Sequence, residues 1–356
     1  MIRSAHVIGS KTLGGAERFF LRLLDALHRH GEPVHAFLRR GSEVTPHLPA
    51  GVAVTETPMR TVWDPWSRHA LARALRGAQP DVVQTYMGRA TRLTHLRPGG
   101  RPVHVARLGG YYKLDGYRHA HAWVGNTRGL CDWLVAQGLP GARVFHIGNF
   151  IDLPASVTRG QSAALRAQLG VAADDWLLVT AGRFVPVKGL AFLIDALARL
   201  PAAVGGRTLR LVLVGDGPLR AGLERQIAQS GVADRVVLAG WQTDPAPYFA
   251  MADLVVFPSL DQETFGNVIL EAWAHAKPLV TAGFRGAREL TRHGEDAWQV
   301  PCGDAAGLAT GIETVLRDPA LAAALATAGH ARAAREFSRD AVVEAYLALY
   351  RRLLGE

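Results

Sequence analysis

Short apolar runs alternate with segments of helical periodicity along the chain. Residues 5–9 and 81–86 are predicted to form strands, and between them Ala16 to His30 places large apolar side chains at helical spacing. After about residue 160 the alternation begins again, with a strand predicted at 176–181 and a helix at 190–200. Alternating strands and helices predict parallel, doubly wound sheets.

The alternation is interrupted once, near residues 150–162. Turn-forming residues cluster there, namely Pro154, Ser156, Thr158 and Gly160. A chain of 356 residues is also too long for one ordinary hydrophobic core. We therefore predict two Rossmann-like domains that face a central cleft, residues 1–155 and 156–339.

The segment 254–271 combines an apolar strand, a glycine turn at Gly266 and a stretch of helical period. Such a turn presents backbone N–H groups and the positive end of a helix dipole to an anion. Glu263 and Glu271 flank the turn. Carboxylates beside an anion site are suited to accept hydrogen bonds from sugar or ribose hydroxyls.

Two cations follow the first strand of the second half. Arg183 and Lys188 lie between that strand and a predicted helix, at the edge where parallel sheets bind ligands. They are suited to neutralise a diphosphate, although a solvated surface pair has the same pattern. After the next two strands, Asp216 is expected to cap a helix and Gly240 offers backbone groups to a base.

Gly14 and Gly15 separate the first strand from its helix. Glycine lets the backbone approach a ligand closely and also forms ordinary turns, so both interpretations stay open. The segment lacks the GxGxxG spacing of a dinucleotide site. The 14 histidines are scattered and no DxD triplet is present, so we predict neither a catalytic metal nor a cofactor.

Charge divides unevenly between the halves. Residues 1–150 hold 20 Lys and Arg against 9 Asp and Glu, whereas residues 151–356 hold 20 against 22. The basic half suits an anionic partner, such as a membrane surface, a phosphorylated glycolipid or nucleic acid. An arginine-rich coding bias would also raise the count, since 36 of the basic residues are arginine.

Trp63 and Trp66 precede a predicted helix that carries Arg68, Arg73 and Arg76. This pattern indicates either peripheral membrane contact or packing of the two aromatic rings. No apolar run approaches the ~20 residues of a membrane-spanning helix, and the first residues predict a strand and not a signal peptide. Two distant cysteines indicate a reducing compartment, so we expect a cytoplasmic protein that can lie at the inner face of the membrane.

Several of these features occur together in one known family. In order along the chain they are Arg183…Lys188, the VGDGP turn at 214–218, the LAGW segment at 238–241, and Glu263…Glu271. The chain thereby resembles the retaining glycosyltransferases of family 4, which have the GT-B fold. The resemblance covers nearly the whole chain and is strongest from 176 to 310.

The resemblance implies a nucleoside diphosphate sugar as the donor, which we expect to be UDP-linked. Arg183 and Lys188 would bind the diphosphate, Glu263 the hydroxyls of the transferred sugar and Glu271 those of the ribose. Further donor contacts would come from Gly15, Gly240, Phe265, Gly266, Asn267 and Val268. The resemblance also implies that the last helix, about residues 340–356, packs back on the N-terminal domain.

The chain departs from the family at one point. Many relatives carry a histidine at the end of an N-terminal strand near the reacting sugar, whereas this chain has Leu108-Gly109-Gly110 there. Candidates for contacts on the acceptor side are therefore Arg107, Gly109, Tyr111 and Lys113. Packing, or a loop that covers the site, is the alternative role for the tyrosines of this segment.

The implied reaction is transfer of a sugar, with retention of configuration, to a lipid-linked or envelope saccharide such as lipopolysaccharide core or an exopolysaccharide. A nucleotide-sugar epimerase of the same fold is the alternative enzyme. A basic nucleic-acid-binding protein is the alternative from another class, although no nucleic-acid motif is present. A glycosidase pair is disfavoured because Glu263 and Glu271 flank an anion site and Glu271 lies in a predicted helix.

Overall fold

The computed structural model describes residues 1–154 and 159–356. This part of the chain divides into two compact units, which we call the N-terminal unit (Met1–Asn149 with Arg339–Glu356) and the C-terminal unit (Phe150–Ser338). The predicted junction at 155/156 lies outside the described residues. The boundaries 1–155 and 156–339 therefore stay predictions.

The N-terminal unit is a parallel sheet with helices between its strands. Its strands are β1 (Ser4–Ile8), β2 (Val34–Arg39), β3 (Ala53–Thr57), β4 (Val82–Tyr86), β5 (Val103–Leu108), β6 (Ala122–Gly125) and β7 (Val144–His146). Its helices are α1 (Gly15–Arg29), α2 (Pro65–Ala78), α3 (Met87–Leu93), α4 (Arg128–Ala136) and the C-terminal helix, α13 (Arg339–Leu354). The strand order is β3-β2-β1-β4-β5-β6-β7.

The central strands of this sheet are buried on both faces. All five residues of β1 and of β4 are buried, since helices cover both faces of a parallel sheet. Ser4 of β1 pairs with Val34 of β2 on one side and with Val82 of β4 on the other. α1 buries an apolar stripe at helical spacing, made of Phe19, Phe20, Leu23, Leu24 and Leu27.

The C-terminal unit repeats this architecture. Its strands are β8 (Trp176–Ala181), β9 (Ala203–Val204), β10 (Arg207–Val214), β11 (Val236–Gly240), β12 (Leu254–Phe257), β13 (Leu279–Ala282) and β14 (Trp298–Val300). Its helices are α5 (Arg159–Gln168), α6 (Leu190–Arg199), α7 (Arg220–Gln229), α8 (Ala246–Met251), α9 (Asn267–Ala274), α10 (Arg285–Leu290), α11 (Ala305–Arg317) and α12 (Pro319–Glu336). The parallel order is β11-β10-β8-β12-β13-β14, and β9 pairs antiparallel with β10.

Successive residues of β8 enter opposite halves of this unit's core. Leu177 and Val179 belong to the apolar cluster on one face of the sheet, and Leu178 belongs to the cluster on the other. This period of two is the geometry of a strand that is covered on both faces. The prediction of parallel, doubly wound sheets is therefore confirmed.

The sequence pattern also predicts strands at 103–108 and 254–257 and helices at 246–251, 305–317 and 319–336. These match β5, β12, α8, α11 and α12 to the residue, as the strand predicted at 176–181 matches β8. The sequence did not predict β7, β14, α3, α5 or α10, and α2 begins at Pro65, four residues before the helix predicted from His69. Among the described helices, none has the length and apolarity that crossing a membrane requires.

Candidate active site

The carboxyl ends of β8, β10 and β11 meet at one edge of the C-terminal sheet. Gly182 donates its N–H to the carbonyl of Val214 at 2.9 Å, and Gly215 donates to the carbonyl of Gly240 at 2.8 Å. These backbone bonds place the loops after the three strands side by side. Ligands of open parallel sheets bind at this edge.

The loop after β8 approaches the loop after β12 at Gly189. This glycine has φ of +61°, and a Cβ added to it would lie 2.1 Å from the carbonyl oxygen of Pro258. No residue with a side chain fits there without movement of backbone. The two loops are also joined by a hydrogen bond from the N–H of Leu260 to the carbonyl of Val187, at 2.8 Å.

This approach brings Lys188 and Glu263 together. Lys188 Nζ lies 2.6 Å from Glu263 Oε2, and Ser259 Oγ donates to the same oxygen at 3.4 Å. Only 21% of the lysine side chain and 16% of the glutamate side chain are exposed. The ammonium also lies 5.3 Å from the centre of the Phe257 ring. A cation and a carboxylate predicted from separate motifs therefore form one half-buried ion pair.

Helix α9 begins directly after this loop, and Gly266 is its N-cap. This residue has φ of +83°, and an added Cβ would lie 2.6 Å from Cζ of Phe284 and 2.8 Å from Cε1 of Phe257. Glycine has no side chain to cap the helix, so the first N–H groups of α9 are suited to an anion. Of the neighbouring predicted donor residues, Phe265 and Val268 are buried and Asn267 is exposed.

Glu271 lies about one turn inside α9 and is half-buried. Its backbone carbonyl accepts a hydrogen bond from His275 Nδ1 at 2.8 Å. Burial lowers the pKa of His275, which favours the neutral ring at this end of the helix. Glu271 and Glu263 therefore occupy separate elements, as the sequence predicted.

Two other predicted residues lie on neighbouring loops. Arg183 is exposed on the loop after β8. Asp216 was expected to cap a helix, but α7 begins at Arg220 and its N-cap is Leu219. Asp216 instead accepts from the N–H of Gly217 at 2.6 Å and pairs with Arg220 at 3.1 Å. The capping prediction is wrong because the turn after β10 is longer than the sequence indicated.

Asp261, for which no role was predicted, holds the loop that carries Glu263. Its carboxylate pairs with Arg285 and Arg288 of α10, each at 3.0 Å. Desolvation raises the pKa of Asp261, but the hydrogen bonds from the two arginines outweigh it and the net shift is downward. The spacing of the two arginines, three positions apart on one helix face, is the sequence signal for this contact.

Backbone contacts from α10 support the same loop. A Cβ added to Gly286 would lie 2.3 Å from the carbonyl oxygen of Thr264 and 2.8 Å from that of Phe265. Trp241, whose ring had no predicted role, follows Gly240 and exposes 49% of its surface at the end of β11. An exposed ring at this edge of the sheet offers a flat apolar surface beside the glycine.

The predicted residue Gly15 begins α1 in the N-terminal unit. The residue before it, Gly14, is the N-cap, and its N–H donates to Glu17 Oε2 at 2.9 Å. Glu17 is buried, whereas Gly15 is exposed. The first turn of α1 therefore presents backbone at a surface while a buried carboxylate holds its geometry.

Arg107 is 4% exposed and is bound inside the N-terminal unit. Its Nε donates to Tyr346 Oη at 3.0 Å and its Nη2 to Asn149 Oδ1 at 2.5 Å. The guanidinium also lies 3.6 Å from the centre of the Phe19 ring. Burial and these contacts argue against the predicted acceptor contact of Arg107 and make it a structural link between β5 and α13.

The other acceptor-side candidates differ in exposure. Gly109 is half-buried and Lys113 is exposed. Tyr111 is half-buried and its ring meets that of Trp133 edge-on, with centres 5.3 Å apart. The structure thus favours packing as the role of Tyr111, and it leaves Lys113 as the candidate that is open to a ligand.

Among residues 1–154 and 159–356, no group of three or more His, Cys, Asp and Glu side chains is placed to hold a metal ion. The catalytic and donor-binding roles of the residues above stay predictions at this point. Their positions group them at the carboxyl edge of one sheet, apart from Gly15, which lies in the other unit.

Comparison with known proteins gives full-length matches. The family models "Glycosyl transferases group 1" and "Glycosyltransferase Family 4" match residues 176–318 and 13–154. The chain is 34% identical over 346 residues to the lipopolysaccharide core biosynthesis glycosyltransferase LpsE of Rhizobium meliloti, covering 94% of this chain and 95% of that protein. It is also 34% identical over 350 residues to LpsD of the same organism, covering 96% of each.

A solved structure shares the fold at lower identity. Anabaena HepE in complex with UDP and glucose superposes with a TM-score of 0.83 at 23% identity, covering 98% of this chain and 99% of that one. Two parallel-sheet α/β units and this similarity define the GT-B class. The chain belongs to glycosyltransferase family 4, so the resemblance seen in the sequence is confirmed.

Proposed function

We propose that this protein transfers a sugar from a UDP-linked donor to a saccharide of lipopolysaccharide core, with retention of configuration and without a metal ion. The observation that carries the proposal is the ion pair of Lys188 and Glu263 beside the first turn of α9. Full-length similarity to LpsE and LpsD supports the choice of acceptor. The UDP and glucose bound by HepE support the choice of donor.

The proposed chemical role of the carboxyl edge of the C-terminal sheet is to stabilise negative charge on the leaving group. Breaking the bond between the anomeric carbon and the diphosphate leaves negative charge on the departing phosphate. Lys188, Arg183 and the N–H groups at the start of α9 are suited to stabilise that charge. An acceptor hydroxyl that attacks from the same face retains the configuration, and the departing phosphate oxygen accepts its proton.

The two glutamates have separate proposed targets. Glu263 is fixed by Lys188 and Ser259, so its other oxygen, Oε1, is the one we assign to hydroxyls of the transferred sugar. Glu271, inside α9, is assigned to the ribose. Gly240 and the exposed Trp241 are assigned to the base, because they end the neighbouring strand β11.

Exposure and the state of the cysteines support proposals on the acceptor contact and on the compartment. Lys113 is the acceptor-side residue that exposure favours. A cytoplasmic location is proposed because Cys131 and Cys302 are not joined in a disulfide. The named relatives are glycosyltransferases, so similarity gives no support to the epimerase alternative.

Ligand-dependent unfolding tests the donor. A ligand that binds only the folded protein raises the free energy of unfolding by mass action, by about 2.7 kcal/mol at 100 times its Kd, and so raises the unfolding midpoint. UDP and UDP-glucose should raise the midpoint, whereas NAD should not. Retention is then read from the anomeric signal of the product by NMR, and addition of EDTA should leave turnover unchanged. A shift with NAD alone, or none with any sugar nucleotide, would contradict the proposal.

Substitutions test the residue roles. Lys188→Ala should lower turnover by roughly 10²-fold or more, because it removes a charge that stabilises the leaving group. Glu271→Ala should weaken donor binding by roughly 10-fold, since it removes a contact to hydroxyls. Arg225→Ala, at an exposed position of α7, is the matched control. Full activity in both site variants would overturn these assignments.

A further inference from the structure

Four histidines from separate segments meet at the amino edge of the N-terminal sheet, and we call them the histidine cluster. His104 lies near the start of β5, and His121 directly precedes β6. His95 follows α3, and His119 lies on the connection between β5 and β6. The rings of His95 and His119 stack with their centres 4.0 Å apart. The His104 ring lies 5.6 Å from that of His119 and 6.3 Å from that of His121.

Backbone carbonyls determine which nitrogen of the two stacked rings carries a proton. His119 Nε2 lies 2.9 Å from the carbonyl of Thr91 and 2.8 Å from that of Thr94. His95 Nε2 lies 2.9 Å from the carbonyl of Arg92. A carbonyl only accepts hydrogen bonds, so both Nε2 atoms are donors. Nδ1 of each ring is therefore the atom that a further proton would occupy.

Two hydroxyl groups determine the same for the buried ring of His104. Thr91 Oγ1 donates to the carbonyl of Met87 at 2.9 Å. Thr85 Oγ1 therefore donates to Thr91 Oγ1 at 2.9 Å and accepts from His104 Nε2 at 3.0 Å. Among the described residues, His104 Nδ1 is buried without a hydrogen-bond partner. The side chain is 0% exposed, so a proton on Nδ1 would place an unpaired charge in the core.

His121 is the fourth ring, and it accepts a hydrogen bond from the backbone of β5. The N–H of His104 donates to His121 Nδ1 at 3.1 Å. A proton on that nitrogen would set two N–H groups against each other and leave the start of β5 without its acceptor. The contact between the two residues therefore requires a neutral His121.

The surroundings of the histidine cluster also oppose protonation. Burial lowers the pKa of His95, His104 and His121, and repulsion from neighbouring rings adds to the effect. The charged side chains that act on these pKa values are Arg68 of α2, beside His95, and Arg143, beside His121. Both are cations. A proton that enters the cluster therefore loses hydration and meets like charge.

The histidine cluster joins the segment 109–121 to α3. His119 binds carbonyls at the end of that helix, and a Cβ added to Gly116 would lie 2.3 Å from Cγ of Arg92. The segment begins after β5, at the carboxyl edge of the sheet, and it carries Lys113, the exposed acceptor-side candidate. Contacts at the amino edge thus help to fix a segment that reaches the opposite edge.

We propose that the histidine cluster is an acid-sensitive latch, which holds the segment 109–121 on α3 while its rings are neutral and releases the segment when they are protonated. In the open state the imidazoles are hydrated and bind protons with a pKa of about 6.5. Because the pKa values are lower in the closed state, the latch is complete above pH ~6.5 and is lost as the pH falls. The proposal does not depend on the reaction assigned to the C-terminal unit.

The size of the effect follows from proton binding. Between pH 7.5 and pH 5.5 the opening equilibrium should rise roughly 10-fold for each histidine whose pKa in the closed state lies below 5.5. His104 and His121 together should therefore contribute roughly 100-fold. The donor residues of the C-terminal unit lie outside the cluster, so the UDP-dependent shift of the unfolding midpoint should persist at pH 5.5.

Hydrogen–deuterium exchange of the full chain at the two pH values tests the latch. After correction for the intrinsic rate, peptides from residues 94–121 should exchange roughly 100-fold faster at pH 5.5, because local opening exposes their amides. Peptides from α1 should accelerate much less. His104→Gln/His121→Asn removes two titrating rings and retains the hydrogen bonds, since Gln Nε2 replaces His Nε2 and Asn Oδ1 replaces His Nδ1. In this variant the acceleration should be roughly 10-fold smaller or less.

His47→Gln is the matched control, because His47 is exposed in the same unit, and it should keep the wild-type acceleration. The pH comparison in wild type needs no variant, so the proposal can fail even if the double variant does not fold. Three results would overturn it: exchange of residues 94–121 that is independent of pH, equal acceleration in α1, or full acceleration in a folded double variant. A latch that opens in a protein without any UDP-dependent shift would contradict the proposed donor and leave the latch intact.

Discussion

His6 lies inside the N-terminal sheet, and both of its ring nitrogens are hydrogen-bonded. Nδ1 pairs with Tyr86 Oη at 2.9 Å and Nε2 with Ser4 Oγ at 3.0 Å. Burial lowers the pKa of His6 from 6.5 to about 3, because a charged ring would lose its hydration there. Burial lowers the pKa of His104 and His121 in the same unit. The folded unit therefore keeps these imidazoles neutral.

We expect the free energy of unfolding to fall as the pH drops below about 6.5. A histidine with a lower pKa in the folded state takes up a proton on unfolding, so its contribution is complete above pH ~6.5 and is lost toward pH ~3. For His6 the loss is about 2 kcal/mol at pH 5. Urea unfolding at pH 7 and pH 5 measures this loss. His6→Gln should lose less free energy of unfolding between the two pH values than wild type does.

His47→Gln is the matched control, because His47 is exposed in the same unit. It should show the pH dependence of wild type. If His6→Gln and wild type lose the same free energy between the two pH values, His6 is not the proton acceptor that links acid to unfolding.

The sequence placed Arg183, Lys188, Glu263 and Glu271 on the correct loops and helix. It did not predict that Lys188 and Glu263 touch, because 75 positions separate them and their contact depends on backbone approach at Gly189. The sequence also offered Arg107 as an acceptor-side candidate. Asn149 and Tyr346, which bind Arg107, are distant from it in the chain. No local sequence pattern therefore predicted that Arg107 is buried.

At the scale of elements, close helix contact in the C-terminal unit depends on a glycine. Gly329 of α12 is buried against Trp273 of α9, and an added Cβ would lie 2.1 Å from Cδ1 of that fully buried ring. α9 carries both the proposed anion site and Glu271. The fit between α12 and α9 therefore supports the helix on which the donor site depends.

We expect Gly329→Ala to destabilise the protein by about 1–3 kcal/mol, because the methyl group forces two packed helices apart. Gly222→Ala in α7 is the control, since its Cβ would meet no atom within 4 Å and alanine favours helix by about 1 kcal/mol. Thermal unfolding should move the two midpoints in opposite directions. A raised midpoint for both variants would show that the α12–α9 contact relaxes without cost.

Helices were predicted correctly where the helical periodicity extended over many residues, and strands where an apolar run was uninterrupted. α11 and α12 have 13 and 18 residues, and β12 is a fully buried run. β7 and β14 contain three residues each, which is too few for a period of two to be recognised. α10 has six residues, and its identity depends on contacts with the loop after β12.

At the scale of the whole molecule, α13 connects the end of the chain to its first 150 residues. Tyr350 Oη donates to Gln84 Oε1 at 2.8 Å inside the N-terminal unit, and both side chains are buried. Tyr346 accepts from Arg107 in the same region. The N-terminal sheet thus obtains its buried polar partners from a distant segment.

We expect Tyr350→Phe to lower the free energy of unfolding by about 1–3 kcal/mol, because it leaves a buried amide oxygen without its donor. The exposed Arg351→Gln on the same helix should have little effect. Urea unfolding compares the two variants, and the UDP-dependent shift of the C-terminal unit should persist in both. Wild-type stability in Tyr350→Phe would show that another group satisfies Gln84.

The division of the N-terminal unit between two chain segments has a consequence during translation. Residues 1–149 leave the ribosome long before residues 339–356 are synthesised. At 5–20 residues per second the interval is roughly 10–40 s. During it Gln84 and Arg107 have no contact with Tyr350 and Tyr346, and the surface that α13 covers on α1 stays open. We therefore expect the nascent unit to expose surface of the kind that chaperones bind until α13 is synthesised.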